Sequence, residues 1–110
     1  RHGAMLGGEP HPVSSNAEAW MKQLSDFDVE LACSGDVVDR GHARNVLGGP
    51  LSALRHFVGV LAKDDVNPGL AAGEIVTTGT LTRALPIKPG ETWTTTVSGI
   101  PLGSISVRFS

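Results

Sequence analysis

Apolar and polar positions alternate from Asp26 to Cys33, with Phe27, Val29, Leu31 and Cys33 on one face and Asp26, Asp28 and Glu30 on the other. A period of two is that of a half-buried β-strand. Ser34-Gly35 supplies a tight turn and Val37 and Val38 return, so the pattern predicts a hairpin over about 27–33 and 36–40. Arg40-Gly41-His42-Ala43-Arg44-Asn45 then reads as a polar loop. Gly48-Gly49-Pro50 opens the next element. Proline is tolerated at the first helical position, whose N–H has no intrahelical partner, and Leu51, Leu54, Val58 and Leu61 follow at helical spacing. A helix over 50–63 is predicted, ending before Asn67-Pro68-Gly69. Glu74-Ile75-Val76-Thr77-Thr78 reads as another strand, and Pro89-Gly90 as a turn. Two alternating runs, 92–98 and 104–109, close the chain as a hairpin around Gly99-Ile100-Pro101-Leu102-Gly103.

Upstream the pattern is weaker. Ser14, Ser15 and Asn16 are N-cap residues before the helix formers of 17–24, with Glu18 in the first turn, which predicts a short helix. Gly3-Ala4-Met5-Leu6-Gly7 reads as a short buried strand cut off by Gly8 and Pro10. The elements add up to an α+β chain, mostly β, with one main helix packed on the strands.

The length of 110 residues bounds this to a single domain. Nine Lys+Arg against eleven Asp+Glu give a formal charge of −2, so there is no positive field to gather nucleic acid or an anionic membrane surface. No run approaches the roughly 18 apolar residues of a membrane span. The single cysteine, Cys33, has no second thiol for a disulfide or a zinc site. A reducing cytoplasm is the expected compartment. The chain opens on Arg1 rather than methionine, which leads us to expect sequence upstream.

Few residues stand out as chemical. Asp26, Asp28 and Glu30 share a strand face, and alternate carboxylates can hold a hard cation. The same spacing is that of the wet face of an antiparallel sheet, which is the commoner arrangement and the preferred reading. His42 in its polar loop could bind an anion, although a solvated turn explains it as well. Cys33 has no basic neighbour and falls on the apolar face, as a small core residue does. Gly48-Gly49 before a helix resembles an anion-binding N-terminus but lacks the residues of a phosphate loop, so close backbone packing is the expected use. Thr78-Gly79-Thr80 follows an apolar strand. Hydroxyls flanking a glycine there can receive a carboxylate, and surface threonines at a turn look the same.

Taken together, several segments resemble one known family. They are Val46-Leu47-Gly48-Gly49-Pro50-Leu51-Ser52-Ala53-Leu54, then Leu70-Ala71-Ala72-Gly73-Glu74-Ile75-Val76-Thr77-Thr78-Gly79-Thr80-Leu81-Thr82, Pro89-Gly90-Glu91, and the closing Ser104-Ile105-Ser106-Val107-Arg108-Phe109. The chain is similar to the C-terminal part of the 2-keto-4-pentenoate hydratase/4-oxalocrotonate decarboxylase group of the fumarylacetoacetate hydrolase superfamily. The likeness covers nearly the whole chain.

This resemblance implies the C-terminal portion of a mixed β-roll around a divalent ion, Mg²⁺ or Mn²⁺, in an enzyme acting on short 2-oxo acids in aromatic catabolism. There the metal chelates the substrate and stabilises an enolate. The family's Thr-Gly-Thr element places Thr80 as the hydroxyl contacting the substrate carboxylate, with Gly79 allowing close approach and Thr78 and Leu81 lining the pocket. Two departures are visible. Gly49 stands where many relatives carry histidine, and the family's metal-binding acidic residues and general-base lysine lie upstream of everything matched. The expectation is a single partial domain over 1–110 that holds no metal and is inactive by itself. It is either a piece of a hydratase or decarboxylase or a stand-alone, non-catalytic remnant. Unpaired strand edges and apolar surface predict a homo-oligomer in either case.

Overall fold

The computed structural model describes residues 10–110. In chain order its elements are α1 (Ala17–Ser25), β1 (Asp28–Cys33), β2 (Asp36–His42), α2 (Pro50–Leu61), β3 (Thr92–Ser98) and β4 (Ile105–Arg108). Single 3-10 turns stand at Ser14–Asn16 and Ala43–Asn45. The strand expected at 3–7 lies outside the described residues.

The four strands form one sheet in the order β2-β1-β3-β4. Every ladder is antiparallel, so the described residues form no mixed sheet. Ser34 (φ 50°) and Gly35 (φ 95°) join β1 to β2 in a two-residue turn with both residues at positive φ, the geometry whose twist matches the flanking strands. The β1–β2 ladder continues to Glu30↔Arg40, Val29↔Gly41 and Asp28↔His42. Residues 41–42 therefore extend β2 past the expected 36–40 into what reads as a polar loop, because β1 offers them backbone partners through to its first residue. A register shift between Leu31 and Ala32 absorbs Val38 as an extra residue.

At the other end, the Gly90 N–H donates to the Phe109 carbonyl (2.7 Å) and the Glu91 N–H to that of Lys88 (3.3 Å). This is the expected Pro89-Gly90 turn. The Glu91 carboxylate braces it by accepting from the Lys88 N–H (2.8 Å) and from the Trp93 indole (3.0 Å).

Between β2 and β3 the chain leaves the sheet to form α2. The helix begins at Pro50 as predicted, with the Ala53 N–H donating to the Gly49 carbonyl (3.0 Å). It stops at Leu61, two residues short of expectation. Asp64 ends it by accepting from the N–H groups of Val66 (2.8 Å) and Asn67 (3.1 Å) and from Asn67 Nδ2 (2.7 Å). The apolar stripe is only partly used. Ala53 is buried and Leu51, Leu54 and Leu61 are half-buried, whereas Val58 is 45% exposed.

Residues 74–78 form no strand, contrary to the sequence pattern. Branched side chains favour an extended backbone, but a strand exists only where a neighbour takes its N–H and C=O groups, and none of the described strands pairs with these residues. The expected predominance of β-structure falls with it. The fold is α+β, with a four-stranded antiparallel sheet and two helices, α1 being a nine-residue helix beside the twelve-residue α2.

The core is small. Phe27, Val29, Ala43 and Ile100 form its buried centre, with Trp20 and Leu24 of α1, Leu81 and Val97 of β3 packed against it. Trp20 and Leu24 are four residues apart, so α1 presents one stripe to the sheet. Asn16, the expected cap of that helix, makes no side-chain capping bond. The Ala43 N–H donates to the Phe27 carbonyl (2.8 Å), which ties the 3-10 turn to the core.

Candidate functional site

The segment carrying the expected substrate contacts lies between α2 and the edge strand β2. Gly79 has φ +105°, a conformation that favours glycine, and turns the chain there. Thr80 follows on the surface. Its hydroxyl donates to the Thr82 carbonyl (2.9 Å) and lies 3.3 Å from the Thr82 N–H, a local turn that leaves acceptor capacity on the oxygen. Leu81 packs its side chain against the core and accepts at its carbonyl from Asn45 Nδ2 (3.1 Å). The Arg83 N–H and Nε donate to Asp39 Oδ2 at 2.8 and 3.3 Å.

A cavity of about 320 Å³ opens between α2 and residues 76–78, with Ala53, Leu54, Phe57, Val76 and Thr78 in its walls. Of the four predicted contacts, Thr78 lines this cavity. Gly79 lies beside Val46, Thr80 faces solvent and Leu81 belongs to the core, so the structure does not gather all four around one space. A groove of about 450 Å³ runs along α2 past Ser52, Arg55, His56 and Lys63.

The carboxylates of β1 and its approach are matched to basic side chains across the hairpin. Glu30 Oε1 accepts from Arg40 Nε at 2.8 Å. Asp26 Oδ1 lies 3.0 Å from His42 Nε2 and 3.7 Å from an Arg44 guanidinium nitrogen, and Asp28 Oδ1 lies 4.0 Å from the same His42 nitrogen. His42 Nδ1 accepts from Arg44 N (3.1 Å) and Nε (2.9 Å), so the ring proton is on Nε2, directed at Asp26. His42 thus serves as a bridge within the fold, not as the anion-binding loop residue considered from the sequence.

These groups do not suit a divalent cation. Among the described residues no three His, Cys, Asp or Glu side chains gather as metal ligands. Asp26, Asp28 and His42 come nearest, but Arg44 already lies beside Asp26 and occupies the His42 lone pair. A hard cation needs several oxygen donors free of such competition.

Three carboxyls lie below their ordinary range. Asp39 is lowered chiefly by the Arg83 N–H, Asp64 by the Asn67 side chain and Glu91 by the Lys88 N–H. A carboxyl depressed in the folded state stabilises the fold above its unfolded value, about pH 4, and that contribution disappears as pH falls through the lower folded value. The thermal midpoint is therefore expected to be lower at about pH 3 than at pH 7, and Asp39→Asn to reduce that difference. Equal midpoints in the parent chain would contradict these pairings.

Sequence reasoning passed over Asp39, Gly41, Asn45 and Arg83. Their partners lie 36 to 44 residues away, which no local pattern reveals. One signal was available: a glycine inside a strand often marks a close backbone approach. Gly41 is buried, and a Cβ built on it would collide with the Leu81 carbonyl group, its carbon at 2.7 Å.

No family model matches the chain. Individual proteins do. It is 35% identical to the 4-oxalocrotonate decarboxylase of Pseudomonas putida over 81% of its own length and 34% of that protein. It is 31% identical to 2-keto-4-pentenoate hydratase 1 of Dechloromonas aromatica (96% of this chain, 36% of the relative) and to the 2-oxo-hept-4-ene-1,7-dioate hydratase of Escherichia coli (97% and 36%). The solved 4-oxalocrotonate decarboxylase of Pseudomonas putida G7 superposes with a TM-score of 0.75 at 32% identity, over 94% of this chain and 36% of that one. That enzyme has been determined with calcium and acetate and with magnesium and adipate. The chain thus resembles the C-terminal part of the 2-keto-4-pentenoate hydratase/4-oxalocrotonate decarboxylase group. It spans about a third of the length of the relatives it matches.

Proposed function

We propose that the chain forms the carboxylate-receiving wall of a divalent-metal site for short 2-oxo acids, of the hydratase or decarboxylase kind. The observation that carries this reading is the combined sequence and structural likeness to a decarboxylase solved with Mg²⁺ and a dicarboxylate. Magnesium or manganese would be held by acidic residues that the family resemblance puts upstream of the matched segments. The chain by itself would therefore bind an acid without transforming it. Self-association belongs to the same proposal: β2 and β4 are edge strands, and Phe57 and Val60 of α2 are exposed.

The chain's own part is binding and orientation. The Thr80 hydroxyl spends its proton on the Thr82 carbonyl, a neutral acceptor. Turning it to a substrate carboxylate replaces that bond with a charge-assisted one, which is roughly twice as strong. Gly79 keeps the adjoining backbone clear of a side chain, and Thr78 faces the cavity beside α2.

Titrating the labelled chain with millimolar adipate is expected to shift amide signals at 78–81. Thr80→Val is expected to abolish those shifts while costing at most about 1 kcal/mol of stability, the value of one exposed hydrogen bond. Within a complete metal site the same change would raise KM or lower kcat. Shifts that survive Thr80→Val, or that appear only elsewhere, would remove Thr80 from this role.

A further inference from the structure

Residues 81–83 run beside β2 without forming a ladder with it, yet they are held at three points. The Leu81 backbone sits against Gly41 where that residue lacks a side chain. The Leu81 carbonyl accepts from Asn45 Nδ2, and the Arg83 N–H donates to Asp39 Oδ2. Gly41 and Asp39 stand opposite Val29 and Leu31 of β1, so both belong to the β1–β2 hairpin.

We propose that Asp39, Gly41 and Asn45 are positioning residues that hold the Thr80 hydroxyl in place by clamping the chain at Leu81 and Arg83. The proposal rests on the reading of Thr80 as a carboxylate contact, and its structural half can be measured without it. The route is short. Thr82 lies between the two clamped residues, and its N–H donates to the Thr80 hydroxyl oxygen, a bond that remains when the hydroxyl proton turns from the Thr82 carbonyl to a carboxylate. A segment within a sheet has its direction set by ladder bonds. Without them each residue gains conformational freedom, so side-chain bonds from a neighbouring strand and turn must supply the restraint.

Asn45 is itself fixed from below. It ends the 3-10 turn Ala43–Asn45, which His42 caps through Nδ1 while its Nε2 proton is directed at Asp26. The same turn is bonded to the Phe27 carbonyl through the Ala43 N–H. The clamp thus has one anchor in the hairpin and another in the core.

The test uses Asn45→Ala, Asp39→Ala and the conservative Asp39→Asn, which keeps an acceptor for the Arg83 N–H. Amide exchange at Thr82 and Arg83 and adipate-induced shifts at 78–81 are followed in each. With signals of Asp28–Cys33 unchanged, Asn45→Ala and Asp39→Ala are expected to speed exchange at Thr82 and Arg83 about tenfold and to weaken adipate binding by a similar factor, as loss of one hydrogen bond does. Asp39→Asn is expected to restore much of both. Parent-like exchange and adipate binding in folded Asn45→Ala and Asp39→Ala would overturn the clamp. If the parent chain shows no adipate shifts at 78–81, the carboxylate reading fails, while Thr82 exchange still decides whether the restraint exists. Should Asp39→Ala fail to fold, Asn45→Ala and Asp39→Asn carry the test, and parent-like exchange and binding in Asn45→Ala reject the proposal.

Discussion

Phe27→Ala is expected to remove most of the chain's stability at 25 °C. Truncating a buried phenylalanine removes about 3–5 kcal/mol through lost transfer energy and the cavity left behind. A small domain holds only about 5 kcal/mol or somewhat more in total. This core has little in reserve: among the described residues six hydrophobic ones are buried, and none of the large side chains is fully enclosed. Phe27 is 7% exposed and lies where α1, β1, the 3-10 turn and the Ile100 connection meet. Its backbone carbonyl holds Ala43, and Gly99 packs against its Cα, so collapse of the ring's site disturbs both connections. Urea unfolding followed by far-ultraviolet circular dichroism measures the effect. A midpoint within a few tenths molar of the parent would mean that the chain's stability resides elsewhere.

How much of this was legible in the sequence depended on whether the determining interaction was local. The β1–β2 hairpin was readable because its alternation and its Ser34-Gly35 turn lie within a few residues of each other, and α2 because Gly49 and Pro50 mark its start. Residues 74–78 misled for a physical reason. Their composition reports a preference for extended backbone, while a strand also needs a neighbour, and none of the described strands pairs with them. Residues 41–42 misled in the opposite sense, since a glycine and a polar histidine hid a ladder whose partners are Val29 and Asp28. Val58 fell on the helical stripe, yet α2 buries Ala53 and leaves Val58 exposed.

The site divides along the same line. Thr78, Gly79 and Thr80 stood out by residue type, but only the family resemblance gave them a role and added Leu81, because threonines beside a glycine have no unique chemistry. The residues that restrain them were invisible by either route, with the single exception of Gly41. A carboxylate such as Asp39 looks like any other polar strand residue until the chain brings Arg83 back to it from 44 positions away.

Gly41→Ala is expected to cost about 1–3 kcal/mol, the usual range for forcing extra volume into a packed region. This exceeds what a glycine replacement in a strand would otherwise do, since alanine normally stabilises an extended position by limiting the unfolded chain. The sign reverses because the new methyl group has nowhere to go. Its nearest neighbours are the carbonyl oxygen of Leu81, the carbonyl carbon at 2.7 Å and Leu81 Cβ at 3.2 Å, and the first two are backbone, unable to swing aside as a flexible side chain would. Two adjustments can relieve the contact, and they differ in what they break. Moving β2 away would strain the Val29↔Gly41 pairing beside the core, whereas lifting the segment would release the Asn45 bond to Leu81. The second is the smaller loss, because Asn45 is exposed and one hydrogen bond is worth less than part of a sheet. The variant should therefore keep the sheet and loosen residues 79–83. Its urea midpoint should fall, amide exchange should rise at Thr82 and Arg83 and stay slow in Asp28–Cys33. Parent-like stability with unchanged exchange at Thr82 would show that Leu81 does not rest on β2.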